Sequence, residues 1–166
     1  MLKEKLQADL KESLKFGNAK KRIVIGGVMS SIKNRELDKR AKLSKAGTEL
    51  SKLDEESRLN EEEVLEVIVS EVKKRKESIE SFRDGRREDL ATQEKEELDI
   101  LMTYMPEQMS EDAMRAEVKK TIFEIGAKEI KDMGKVIGAV MAKVKGKADG
   151  TLVSKIVKEE LSKNPV

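Results

Sequence analysis

Asn60-Glu-Glu-Glu-Val-Leu-Glu-Val-Ile-Val-Ser-Glu-Val-Lys-Lys-Arg-Lys-Glu-Ser-Ile-Glu-Ser-Phe-Arg-Asp-Gly85 is the stretch that decides the fold class. Asn60 followed by Glu63 is a capping-box start, in which the Asn60 side chain can accept from the Glu63 amide. Three glutamates in the first turn suit the positive end of the helix dipole. Leu65, Ile68, Val72, Ile79 and Phe82 then recur at helical spacing, and Gly85 ends the run.

The same period extends in both directions. Upstream, Leu2, Leu6, Leu10 and Leu14 mark a first amphipathic helix that stops at Phe16-Gly17-Asn18. A second helix carries Ile25, Val28, Met29 and Ile32 on one face. Gly26 and Gly27 inside it cost roughly 1 kcal/mol each relative to Ala, and they read as a close helix–helix approach or a kink. Arg40 to Asn60 is polar, contains Gly47 and has the weakest period, so it either continues the helix or loops out.

Downstream, a helix from about Arg86 to Tyr104 buries Leu90, Leu98 and Leu101. Pro106 ends it and marks the expected domain boundary, because the residue before a proline disfavours helix. Three shorter helices follow. Ser110 caps the first, with Met114, Val118, Ile122 and Ile125 before Gly126. Asp132 caps the second, with Met133, Val136, Ile137, Val140 and Val144 inward. Asp149 caps the third, with Leu152, Val153, Ile156, Val157 and Leu161 as its apolar face. The expectation is an all-α protein, with an N-terminal helical bundle domain over 1–105 and a small three-helix C-terminal domain over 106–166.

Composition agrees with helix. Charged residues make up 41% of the 166 and aromatics only 2%, while 37% hydrophobic content argues against disorder. The net charge of +2 hides a segregation. Residues 1–48 carry 13 Lys/Arg against 5 Asp/Glu, residues 49–117 carry 11 against 22, and residues 118–166 carry 11 against 6. Two basic ends flank an acidic middle, a pattern that suggests a polyanion contact at one or both ends.

Chemistry is marked mostly by absences. With no cysteine and no histidine, disulfides, thiolate nucleophiles, imidazole bases and ordinary zinc or haem sites are excluded. There is no phosphate-binding Gly-x-x-x-x-Gly-Lys-Ser/Thr loop and no Gly-x-Ser-x-Gly elbow. The carboxylate runs Glu61–Glu63 and Glu94–Glu97 read as solvated helix surface. Gly26-Gly-Val-Met-Ser-Ser31 resembles an amidase serine segment only in composition, and its helical period places it inside a helix. Hence no catalytic residue, metal or cofactor is expected. Charged opening residues without an apolar core of a signal peptide, and no run of 18 apolar residues, lead to the expectation of a cytosolic chain off the membrane.

The informative segment is Asp132-Met-Gly-Lys-Val-Ile-Gly-Ala-Val-Met-Ala-Lys-Val-Lys-Gly-Lys-Ala-Asp-Gly150. Lys143, Lys145 and Lys147 cluster at a helix end and in the turn beyond it. A favourable interaction with the helix dipole explains them. So does a phosphate-backbone contact, with Gly146 and Gly150 removing side-chain bulk and the next helix offering amides. Residue physics leaves the two open. The near absence of aromatics favours backbone and shape contact over base stacking.

Asp132-Met-Gly-Lys135, Gly138, Met141 and Lys145-Gly-Lys-Ala-Asp-Gly150 resemble the signature of the YqeY-like family. These are relatives of the tail domain of the B subunit of glutamyl-tRNA(Gln)/aspartyl-tRNA(Asn) amidotransferase. The likeness runs upstream through Glu71–Glu80, Gly85–Leu90, Glu96–Leu101 and Tyr104-Met-Pro-Glu-Gln-Met-Ser110. It implies a tRNA-binding accessory, without catalysis of its own, beside amidotransferase subunits or another translation protein. Carbon–nitrogen ligase activity with glutamine as amido donor belongs to that whole system. By the same resemblance Lys135, Lys143, Lys145, Gly146, Lys147 and Gly150 are the expected tRNA contacts. Where this chain has Asp149-Gly150, the amidotransferase tail has Asn-Pro, and its lysine directly after the methionine is here Ala142. The rival reading is a helical protein–protein interaction module with no RNA role.

Overall fold

The computed structural model describes residues 1–163, and every element in them is helical, with no strand among the described residues. Two compact units divide the chain, Met1–Met105 and Pro106–Val166. Five helices build the first: α1 (Leu2–Lys15), α2 (Ala19–Lys45), α3 (Leu50–Glu56), α4 (Glu61–Asp84) and α5 (Glu88–Met102). The second holds α6 (Glu111–Ile125), a 3-10 turn over Ile130–Asp132, α7 (Met133–Val144) and α8 (Gly150–Ser162).

In the first unit, α1, α2, α4 and α5 contribute apolar residues to one core. Leu6 of α1, Ile25, Val28 and Ile32 of α2, Ile68 of α4 and Leu101 of α5 are almost wholly excluded from solvent. A buried Leu or Ile contributes about 1.5–3 kcal/mol over an exposed one, so this shared core outweighs the modest propensity of so polar a set of helices. The capping box on α4 forms as read: Asn60 Oδ1 accepts from the Glu63 amide at 2.9 Å and Glu63 Oε2 from the Asn60 amide at 2.8 Å. Gly17, at φ +70°, reverses the chain after α1, a conformation that strains side chains bearing a Cβ.

Several details differ from the sequence reading. On α4 the buried series is Val64, Val67, Ile68, Val72 and Ile79, while Leu65 is half-buried. Both series share Ile68, Val72 and Ile79, and the period alone does not say on which side of that stripe the core is centred. Leu90 is likewise half-buried, and Ala91 takes the core position on α5. Gly26 and Gly27 do not mark a close approach, because a Cβ at either would meet nothing within 4 Å. The uncertain stretch resolves into both alternatives: α2 runs on to Lys45, and a turn at Gly47 (φ +86°) leads into α3.

The charge segregation is largely answered inside this unit. Lys39 of α2 lies 2.9 Å from Glu63, and Arg35 pairs with Glu66 and Arg40 with Asp54. Arg75 of α4 bridges to Glu94 and Glu97 of α5 at 3.1 and 3.0 Å. Basic α2 therefore lies along acidic α4, and much of the imbalance that suggested an external polyanion is an internal pairing. Tyr104, just past α5, closes the unit: its hydroxyl donates to Asp9 of α1, and the Lys5 ammonium sits 5.0 Å from its ring centre.

The second unit has its own core. Met114, Val118 and Ile122 of α6 meet Val136, Val140 and Val144 of α7 and Val153, Ile156, Val157 and Leu161 of α8. Ile125, expected on the apolar face of α6, is exposed, since the helix ends at Gly126 (φ +69°) before the core reaches it. Arg115 reaches Glu111, Glu159 and Glu160 at 2.8–3.1 Å and ties α6 to α8.

Candidate nucleic-acid interface

The turn between α7 and α8 is made by two residues with positive φ in succession, Lys145 (φ +32°) and Gly146 (φ +78°). Lys145 in this region costs about 1 kcal/mol more than glycine, and the surroundings hold it there. Its amide donates to Met141 O at 3.2 Å and the Lys147 amide to Val144 O at 2.8 Å. Two groups from the strap before α6 add to this, Met109 N to Lys147 O at 2.8 Å and Gln108 Nε2 to Gly146 O at 2.9 Å. Ala148 is buried beneath. The turn is thus braced from a segment almost 40 residues away in sequence.

The expected contact residues do not form one lysine cluster. Lys143 is committed to α6: its ammonium lies 2.5 Å from Glu124 Oε2, 3.3 Å from Glu117 Oε1 and 3.1 Å from Thr121 Oγ1. The hydrogen bond from Lys143 holds the Glu124 carboxyl below the usual range, and the same bond raises the Lys143 ammonium above its own. Lys135, Lys145 and Lys147 are exposed, Lys135 on α7 and the other two in the turn. Gly150 is the first residue of α8, and a Cβ there would touch the Met141 side chain at 3.7 Å, ordinary van der Waals contact.

Nor does α8 offer its amides freely. Asp149 Oδ1 accepts from the Thr151 amide at 2.8 Å and the Leu152 amide at 3.4 Å, so the chain's own carboxylate occupies the helix N-terminus. At the start of α7, Asp132 is the cap residue by position, but it makes no side-chain cap bond there. It turns back to accept from Lys128 N and Glu129 N at 3.2 and 3.4 Å, and these bonds lower its pKa.

Sequence reasoning assigned no role to Gln108, Met109, Glu117 or Glu124. A signal existed for the first two: a strap without helical period has backbone groups that need partners elsewhere. For the acids it lay in their spacing of seven on α6, which puts both on one face. No group of three or more His, Cys, Asp or Glu among the described residues could hold a metal ion, and no helix there is long and apolar enough to cross a membrane.

The residues of the turn and of its strap are two of the stretches that carried the family resemblance. A profile described as Yqey-like protein matches residues 3–161. The chain belongs to the YqeY-like family. Curated relatives of this YqeY-like chain include the altered inheritance of mitochondria protein 41, mitochondrial, of Pyrenophora tritici-repentis, 32% identical over 93% of this chain and 78% of the relative. The protein of the same name from Candida glabrata is 30% identical over 61% of this chain. The match spans about half, 48%, of that relative's length.

These names correct the cytosolic placement expected from the sequence, since both relatives are named as mitochondrial proteins. The absence of cysteine and of a long apolar run does not separate one aqueous compartment from another, which is why composition misled.

Proposed function

We propose that this YqeY-like protein is a non-catalytic module that contacts the sugar–phosphate backbone of tRNA through the Lys145–Gly150 turn. In this reading it serves glutamine-dependent amide transfer performed by other subunits. The observation that carries the proposal is the bracing of the turn by Gln108 and Met109. A turn held in a strained form presents the exposed Lys147 and Lys145 from a fixed frame, which lowers the ordering cost of gripping a phosphate chain. Lys135 is a further exposed cation, in the first turn of α7. Lys143 takes a structural part, holding α7 to α6. The names of the relatives make mitochondria the compartment in which this reading places the protein.

Fluorescence-anisotropy titration of tRNA at several salt concentrations tests it. Replacing Lys135, Lys145 and Lys147 together by Gln is expected to weaken binding and flatten the dependence on log salt by roughly 0.7–0.9 per lost contact. Unaltered affinity and slope in the triple variant would sink the proposal.

One observation favours a second reading, docking to a protein. Phe123 is 87% exposed on α6 and Ile130 is 55% exposed in the 3-10 turn, and exposed large apolar groups at one end of an element invite a partner. A pull-down retrieving the same proteins after ribonuclease treatment, without tRNA, would select this reading over the first.

A further inference from the structure

The first unit holds a polar cleft of about 340 Å³ between α2 and the α3 segment, with Lys3 of α1 at its side. That volume is at the lower end of those that hold small molecules, about 300–1,000 Å³. Four cations line it, Lys3, Lys33, Arg40 and Arg58, against two carboxylates, Glu36 and Asp54. Both carboxylates are already matched. Lys3 Nζ lies 2.5 Å from Glu36 Oε1, which also accepts from the Leu59 amide at 3.2 Å, and Arg40 pairs with Asp54. The side chains of Lys33 and Arg58 have no carboxylate within bonding distance among the described residues, and Lys33 acts on Glu36 only by longer-range attraction.

An independent observation comes from Ser57, the residue that closes α3. It is only 6% exposed, it lines the cleft, and its hydroxyl has no hydrogen-bond partner among the described residues. Its oxygen is not among the buried atoms left without a partner, so it stays open to the cleft and can donate to a bound group. A hydroxyl set in the wall of a cleft with two unmatched cations is arranged for an anion.

We infer that this cleft binds the dianionic phosphate of a small phosphomonoester, with Lys33 and Arg58 as its charge partners and Ser57 as a hydroxyl donor. Two uncompensated cations match a doubly charged group, whereas a single carboxylate would leave one of them unanswered. The planar guanidinium of Arg58 can take two phosphate oxygens at once, and the Lys33 ammonium acts as a point charge. The site shares no residue with the Lys145–Gly150 turn, and it stands whether or not that turn grips RNA.

Isothermal titration of the full-length protein in chloride buffer at fixed ionic strength tests it, with adenosine monophosphate, inorganic phosphate and adenosine as probes. Saturable heat is expected with the first two and none with adenosine. The Lys33→Gln/Arg58→Gln double variant should weaken binding about tenfold or more, as loss of charge-assisted hydrogen bonds does. Ser57→Ala should weaken it less. Lys33 and Arg58 are exposed, so the double variant keeps its fold, which circular dichroism verifies. No saturable binding up to about 10 mM ligand, adenosine binding as well as its phosphate, or an unaffected double variant would each overturn the assignment.

Discussion

Lys143 Nζ lies 2.5 Å from Glu124 Oε2 and 3.3 Å from Glu117 Oε1, so the first lysine of the C-terminal basic run joins α7 to α6. A lysine that reads as a ligand contact by its neighbours in sequence is a structural cation by its neighbours in space.

The lysines of the turn should therefore separate in an RNA-binding assay. Lys147→Gln is expected to weaken tRNA binding and lower the salt slope by about 1. Lys143→Gln should leave the slope unchanged and lower the melting temperature slightly. Equal effects of the two on the slope would show that Lys143 leaves its carboxylates to meet the RNA.

Gly146 carries the reversal after α7 at φ +78°. Gly146→Ala is expected to destabilise the second unit by about 1–2 kcal/mol, measured by urea unfolding. It should also weaken RNA binding if the frame of the turn matters. A neutral effect on stability would mean that the turn relaxes into another form.

Tyr104 has its hydroxyl on Asp9, and burial together with that carboxylate pushes its pKa well above the tyrosine value of 10. The folded state thus holds the proton more tightly than the unfolded chain. The stabilisation is present below pH 10 and is lost as pH rises through the raised value in the folded state. Tyr104→Phe should cost about 1 kcal/mol at neutral pH and remove part of the stability loss on the alkaline side. Thermal melts of both proteins from neutral to strongly alkaline pH check this. Identical pH profiles would break the link.

Ile68 and Val136 are wholly buried, each in the core of its own unit. Ile68→Ala should cost about 2–5 kcal/mol. The two cores share no residue, so a fragment over 106–166 is expected to fold alone with native-like amide chemical shifts. A random-coil spectrum for that fragment would show that the second unit depends on the first.

The helical class, the reversals at Gly17 and Gly126 and the caps at Asn60, Ser110 and Asp149 were legible in the sequence, because each depends on residues within one turn of one another. Fine placement was less so. Val64 and Val67 displaced Leu65 from the core because a period defines a face and not the neighbour that will cover it.

What only the tertiary structure decided is where each charge is spent. Along the chain, residues 1–48 and 118–166 are basic surplus. In the fold, Lys39 meets Glu63, Arg35 meets Glu66, and Lys143 meets Glu117 and Glu124. Lys33 and the adjacent pair Ser57-Arg58, unremarkable and more than 20 positions apart in sequence, come to line one cleft. Helix formation is local and is written in spacing. Electrostatic pairing acts across a few ångströms of space, and those distances exist only once the helices have packed.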